Sequence, residues 1–245
     1  MLSIAVPMYN EEALAAQTID GVVRACDDLV ASDVISDYEL IVVDDGSTDT
    51  TPQILDASAA VDPHIRVLHH KENQGLGEAI RSAFGAVRGS LVLYMDGDLP
   101  FDLGELERAC TTITEGGADV FSAYRTNRTS EGFRRTCYSF AYNGLVRLVF
   151  GLRTTDVNFA FKIFRREVVD RMQLQSEGSF IDAEMMILSD RLGYRIVQHG
   201  VRYQPRTHGI STLSSLPVIL KILREGYAFR RSPRWAAVRA ARATT

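Results

Sequence analysis

Cysteine is scarce in this 245-residue chain: Cys26, Cys110 and Cys137 are widely separated and odd in number. No CxxC pair or companion histidine spacing accompanies them, which argues against a disulfide framework or a zinc site and favours a reducing, cytoplasmic setting. Long apolar runs are missing as well. No stretch approaches the ~18 uncharged apolar residues of a membrane span. The opening MLSIAVPMYNEE carries neither a basic leader nor a long apolar core. The expectation is a soluble or peripheral protein. There is no excess of basic charge either: the formal net charge is −4, so the chain has no global positive field for non-specific contact with nucleic acid. Pro/Gly/Ser-rich linkers, repeats and low-complexity tracts are absent. With 46% apolar residues the chain suffices for one large α/β domain, read as 1–212, with a basic helical appendage at 213–245.

What is present is a repeated pattern. Leu2 to Pro7 is a short apolar run that gives way to Tyr9, Asn10 and Glu11, then to helical spacing from Ala13 to Leu29. Tyr38 to Val43 repeats it, ending in Asp44-Asp45-Gly46-Ser47 before a helix over 48–60. Ile65 to His69 leads through Asn73-Gln74-Gly75-Leu76-Gly77 into a helix over 78–87, and Leu91 to Met95 ends in Asp96-Gly97-Asp98. Four strand-loop-helix units with fully apolar strands predict a Rossmann-like, mostly parallel α/β sheet flanked by helices. Such sheets bind ligands beyond the strands' carboxyl ends, where all four polar clusters fall. After Phe121 the regularity fades. Tyr138 to Leu152 reads as an apolar helix, Asp156 to Phe164 and Arg195 to Tyr203 as strands, and 167–172 and 181–192 as helices.

Two clusters carry chemistry. Asp96 and Asp98, one residue apart after a buried strand, offer hard oxygen donors suited to Mg²⁺ or Mn²⁺, which would neutralise a diphosphate. Placed elsewhere, the same pair would be a solvated turn. Asp44 and Asp45 could accept hydrogen bonds from a ribose or a base edge, and Ser47, Thr48 and Asp49 could equally cap a helix.

VPMYNEE at 6–12, VVDDGSTD at 42–49, NQGLGEAIR at 73–81 and MDGDLPFD at 95–102 resemble glycosyltransferase family 2. The resemblance is tight over roughly 1–102. It implies a GT-A fold, a nucleoside-diphosphate sugar donor (UDP- or GDP-linked), a divalent metal and inversion at the anomeric carbon. It places Pro7, Tyr9 and Glu11 in the base pocket and Asp45 on the base or ribose. Asp96 and Asp98 fall on metal and diphosphate, Gly75 and Gly77 at a close approach of backbone to nucleotide, and Arg81 one turn into the following helix. The second half is most similar to the dolichyl- and polyprenyl-phosphate hexosyltransferases, through Asp156 to Arg166, Phe180-Ile181-Asp182-Ala183-Glu184, and Arg206-Thr207-His208-Gly209-Ile210-Ser211. It departs from them at Asn158-Phe159-Ala160, where many have Ser-Gly-Phe, and at Thr212, where Lys is usual.

A lipid monophosphate acceptor is already ionised near neutral pH, because its second pKa is about 6. Catalysis is then positioning and electrostatics, with Arg125, Arg128, Arg134 and Arg206 as candidates to orient the phosphate. A hydroxyl acceptor needs a base instead, and Asp182 or Glu184 would supply it. Two segments suit a peripheral contact with the cytoplasmic face of a membrane. One is the apolar-aromatic 138–150, flanked by Arg134, Arg135, Arg147 and Arg153; the other is 213–229 with the basic tail behind it. Between Arg206 and Thr245 stand eight Lys/Arg against one Glu. A non-catalytic nucleotide-sugar-binding domain is disfavoured by the intact Asp96 and Asp98. A NAD-dependent enzyme is disfavoured because no GxGxxG follows the first strand.

Overall fold

The four apolar runs form the parallel strands β1 (Leu2–Met8), β2 (Tyr38–Asp44), β3 (Ile65–His69) and β4 (Leu91–Met95). The computed structural model describes residues 1–98, 101–127, 133–202 and 216–243, with backbone alone over 133–138, 216–219 and 241–243. Every residue of β2 and β4 is buried, as strands covered on both faces must be. Alternate side chains enter two cores. Ile4, Leu40, Val42 and Leu93 share one with α1 (Ala15–Ala31), α2 (Thr51–Val61) and α4 (Glu105–Thr114). Ala5, Ile41, Val43, Val92 and Tyr94 share the other with α3 (Leu76–Ala86), α5 (Phe133–Phe150), α6 (Arg166–Met172) and α7 (Ile181–Arg191). The helices supply matching stripes: in α1 the buried Ala15, Ile19, Val22, Cys26 and Leu29 recur at three- and four-residue spacing.

Three further strands complete a seven-stranded sheet of order β3-β2-β1-β4-β6-β5-β7: β5 (Val120–Arg125), β6 (Phe161–Arg165) and β7 (Ile196–Val201). β6 runs antiparallel to both β4 and β5, and β7 is parallel to β5. The order turns back at β1, with β2 on one side and β4 on the other. The crevice beyond the carboxyl ends of β1 and β4 is therefore a topological switch point, the place where open α/β sheets bind ligands.

Two sequence expectations are corrected, and one helix is added. The strand expected from Asp156 begins only at Phe161, because Asp156 takes a left-handed φ of 54° and turns the chain. Regularity does not fade after Phe121, since β5 runs on to Arg125. The helix over 105–114, with Leu106, Ala109, Cys110 and Ile113 buried, was not anticipated.

The C-terminal helices α8 (Leu216–Arg230) and α9 (Pro233–Ala243) send Ile222, Phe229, Trp235 and Val238 into the same core as α7. Phe150, Phe180, Phe229 and Trp235 form an aromatic cluster with centroids 5.2 to 6.0 Å apart. The guanidinium groups of Arg191 and Arg230 lie 5.2 and 5.0 Å from the Trp235 ring, within cation–π range.

Candidate active site

The loop after β1 is laced to the loop after β2. Asn10 accepts the N–H of Thr48 (2.8 Å) and gives its own to Ser47 Oγ (3.0 Å), while Glu11 N–H donates to Thr51 Oγ1 (2.9 Å). Glu12 Oε2 takes both the N–H and the hydroxyl of Thr50 (3.1 and 2.7 Å). Ser47 and Thr48 thus bind the neighbouring loop rather than capping a helix; Thr50, the residue before α2, makes no side-chain cap bond, and Asp49 accepts the N–H of Thr51 (2.9 Å). Lacing leaves Pro7 and Glu11 half-buried at the mouth of the crevice and Tyr9 46% exposed, an aromatic face available to a planar ligand.

Asp44 and Asp45 close the end of β2 and are both buried. Asp44 accepts Ser47 N–H (3.0 Å) and pairs with His69 Nδ1 (2.8 Å). Burial alone would raise its pKa, but the bonds from Ser47 and His69 outweigh burial and hold the carboxyl below its usual range. Asp44 in turn raises the pKa of His69. Asp45 turns inward: His70 Nδ1 is 2.7 Å from Oδ1, and the N–H groups of Gln74 and Gly75 donate at 2.9 and 2.8 Å. Three of the roughly four acceptor positions of a carboxylate are thereby used. Asp45 therefore shapes the loop after β3, and little of it is left for a base or ribose.

The glycines of that loop meet protein. A Cβ on Gly77 would stand 2.0 Å from Ser176 O, and one on Gly75 would stand 3.0 Å from Glu177 O with the backbone at a φ of 90°, in the left-handed region that favours glycine. Gly77 N–H donates to Glu177 O (2.9 Å), and Arg81 Nη1 to Ser176 O (2.7 Å) while its Nε and Nη2 grip Glu78. The close approach expected at Gly75 and Gly77 is thus to the backbone of 176–177, and Arg81 fastens the same junction.

Asp96 and Asp98 stand half-buried at the end of β4, on either side of a buried Gly97 that a side chain would press against Met8 Cγ at 3.2 Å. Among the described residues no group of three or more His, Cys, Asp or Glu side chains is placed to hold a metal alone. Two carboxylates still fit Mg²⁺ or Mn²⁺ of the substrate-bridging kind, which keeps water and substrate phosphate in its remaining positions. Beneath them Tyr94 places its hydroxyl 3.4 Å from Asp96 Oδ1. Its ring faces the ammonium of Lys162, which bonds Asp182 Oδ1 at 2.6 Å.

The two expected base candidates separate. Asp182 is buried in its pair with Lys162; burial raises its pKa, and Lys162 opposes this only in part. Glu184 is fully buried, and its two oxygens accept the N–H groups of Gln175 and Ser176 (both 2.8 Å). Glu184 thus clamps the turn at 175–176, each oxygen accepting one backbone N–H. Arg125 is also reassigned. It grips the buried Asp156 in a two-point contact of 2.7 and 2.6 Å and lies 5.4 Å from the Phe159 ring. Arg128, Arg206 and Ser211 lie outside the described residues, as does the side chain of Arg134. Sequence reasoning gave no role to Tyr94, Lys162, His69 or His70. The legible hints were a lone cation between Phe161 and Ile163 and a His pair at a strand end.

The mostly parallel sheet with one reversed strand matches the GT-A fold. The Glycosyl transferase family 2 profile matches residues 3–172, and the chain belongs to this family of sugar-transferring enzymes. It is similar to glycosyltransferase AglD of Haloferax volcanii, with 35% identity over 211 residues covering 84% of this chain and 33% of that one. It is also similar to the undecaprenyl-phosphate 4-deoxy-4-formamido-L-arabinose transferase of Proteus mirabilis, with 31% identity over 220 residues covering 89% of this chain and 64% of that one. The chain thus spans between one third and just under two thirds of these curated relatives. Glucosyl-3-phosphoglycerate synthase of Mycobacterium tuberculosis, solved with Mn²⁺, UDP and phosphoglyceric acid, shares the fold. Its TM-score is 0.68 at 24% identity, over 95% of this chain and 79% of that one.

Proposed function

We propose that the protein transfers a hexose, with inversion, from a UDP- or GDP-linked sugar to a polyprenyl or dolichyl phosphate, using Mg²⁺ or Mn²⁺. The observation that carries the reading is the placement of Asp96 and Asp98 at the switch-point crevice. A metal bound there supplies electrophilic stabilisation of the departing diphosphate. Pro7, Tyr9 and Glu11 border the donor's base, and the 73–77 loop, shaped by Asp45, walls the donor side. Arg128, Arg134, Arg206 and Ser211 are the candidates to orient the acceptor phosphate, which attacks the anomeric carbon in line.

The acceptor follows from what the second half spends elsewhere. Asp182 is paired with Lys162, and Glu184 holds two backbone N–H groups. A hydroxyl acceptor would require one of them as base, whereas an ionised lipid phosphate requires none. The similarity to an enzyme named for undecaprenyl phosphate points the same way.

A lipid acceptor calls for contact with a bilayer, and among the described residues no helix is long and apolar enough to cross one. Exposed apolar side chains instead lie on α5 (Phe140, Leu145, Leu148, Val149) and α8 (Leu220, Leu223, Tyr227), beside Arg147, Lys221 and Arg224. These faces support contact of α5 and α8 with an anionic membrane surface, which the proposal takes to be the cytoplasmic face. Replacing Phe140 and Leu148 by Ser should reduce binding to anionic liposomes without altering the melting curve; unchanged binding would remove α5 from the contact.

The decisive assay supplies Mn²⁺ or Mg²⁺, a panel of UDP- and GDP-sugars and a short polyprenyl phosphate, and follows nucleoside diphosphate release. Lipid-dependent release with one donor is expected, and Asp98→Ala should reduce it on the order of 100-fold or more. Turnover independent of lipid would shift the acceptor to a hydroxyl; metal-dependent turnover surviving in Asp98→Ala would remove the central claim.

A further inference from the structure

Lys162 has no exposed surface, and a lysine in the middle of a sheet is costly unless its ammonium is paired and hydrogen-bonded. The ladder sets it opposite Tyr94 of β4 on one side and Ser122 of β5 on the other, all on one face of the sheet. Its Nζ donates to Asp182 Oδ1 at the start of α7 (2.6 Å) and to Phe159 O (2.8 Å), and lies 5.4 Å from the centroid of the Tyr94 ring. Tyr94 passes the contact on through its hydroxyl to Asp96. Phe159 does so through its ring, which meets Phe101 edge-on at 6.2 Å, and Phe101 stacks on Phe161 at 4.0 Å. The chain on both sides of Asp96-Gly97-Asp98 therefore rests on a platform that Lys162 ties to Asp182 of α7.

An apolar pair of similar volume would hold β6 to α7 at least as well as a buried ion pair does. The ion pair adds a fixed direction: an ammonium with two short bonds can sit in one place only, and that place sets the height of the Tyr94 ring under Asp96. We propose that Lys162, locked by Asp182, is a positioning residue for the metal-binding carboxylates, keeping the end of β4 in register with α7. The inference rests on the sugar-transfer reading above. It assigns Asp182 the work of holding Lys162 rather than that of a base.

The test is Mn²⁺ binding in the presence of UDP or GDP, read from the loss of the free-ion electron paramagnetic resonance signal, in the full chain. The double variant Lys162→Met/Asp182→Asn removes both charges together and leaves no uncompensated ion. It should melt cooperatively, hold Mn²⁺ about 10- to 100-fold more weakly, and leave the KM for the lipid acceptor unchanged. Tyr94→Phe, which deletes one hydroxyl inside an unchanged ring, should also weaken Mn²⁺ binding, and it decides the matter if the double variant fails to fold. Wild-type Mn²⁺ affinity in a folded double variant, or in Tyr94→Phe, would overturn the proposal. Failure of the unaltered protein to bind Mn²⁺ with either nucleotide would strike the sugar-transfer reading itself, which keeps the two failures apart.

Discussion

Replacing Asp156 by Asn isolates the charge that holds Arg125. The variant keeps the side-chain shape, and Asn tolerates the left-handed backbone at this position. It removes the negative partner of a guanidinium whose side chain is 8% exposed, while Asp156 itself is 1% exposed. Two contacts of 2.7 and 2.6 Å and the bond from Arg125 N–H (3.1 Å) converge on this one carboxylate. Breaking a buried pair by removing one partner costs about 3–5 kcal/mol. The low end, about 3 kcal/mol, applies because the Asn oxygen retains one contact. At roughly 2–4 °C per kcal/mol for a chain of this size, Tm should fall by about 6–12 °C. Arg125→Met/Asp156→Asn should regain part of the loss, since no buried charge is then left without its partner. Thermal melts of wild type, both single variants and the double variant close a cycle whose coupling energy reports the pair. An Asp156→Asn protein melting within about 1 °C of wild type would refute the reasoning. If Arg125→Met also melted normally but raised the KM for the acceptor, the arginine would belong to the phosphate after all.

Gly77→Ala should destabilise the protein by at least about 1–3 kcal/mol, because the added methyl meets the backbone oxygen of Ser176 at 2.0 Å; a wild-type denaturation midpoint would show that the 175–178 segment moves aside freely. Glu184→Gln should cost about 1–3 kcal/mol by turning an amide group toward one of two backbone N–H donors. Lost turnover with unchanged stability would restore Glu184 as a base. The Asp44–His69 pair should give a window in the stability–pH curve. The lowered pKa of Asp44 makes its contribution present above about 4 and lost as pH falls through the folded value. The raised pKa of His69 makes its contribution full below about 6.5 and lost as pH rises through its folded value. His69→Gln should flatten the alkaline limb of that window, and an unchanged profile would dissociate the pair from stability.

The first four strands were legible because a strand buried on both faces must be apolar throughout, and Tyr38 to Val43 and Leu91 to Met95 carry that requirement openly. The carboxylates at the strand ends were legible for the same reason: Asp44 and Asp96 interrupt apolar runs where a parallel sheet exposes its ends. Direction is not written in periodicity, so nothing in Phe161 to Arg165 announced that β6 is reversed. Partners distant in sequence were hidden as well. Gly77 reads as a close approach to a nucleotide until Ser176 is set against it, and Arg125 reads as a phosphate ligand until the turn at Asp156 brings a carboxylate beneath it. Lys162 was legible only in part, since a single cation in an apolar run stands out but does not say whether it faces water or an acid twenty residues on.

The junction between the 73–77 loop and the 175–178 segment bears on how donor preference could be changed by exchange of parts. Gly75 and Gly77 are small because Glu177 and Ser176 lie against them, and Asp45 fixes the same loop from the other side. In the function proposed above, the wall of the donor crevice is thus a composite of three segments spread over more than a hundred positions. A chimera that imports the 73–77 loop from a relative with another nucleotide preference would bring a surface fitted to a different 175–178 backbone. Transplants should succeed when both segments travel together with the residue at position 45, and fail as single-loop swaps even where the imported loop is the more natural glycine-rich sequence.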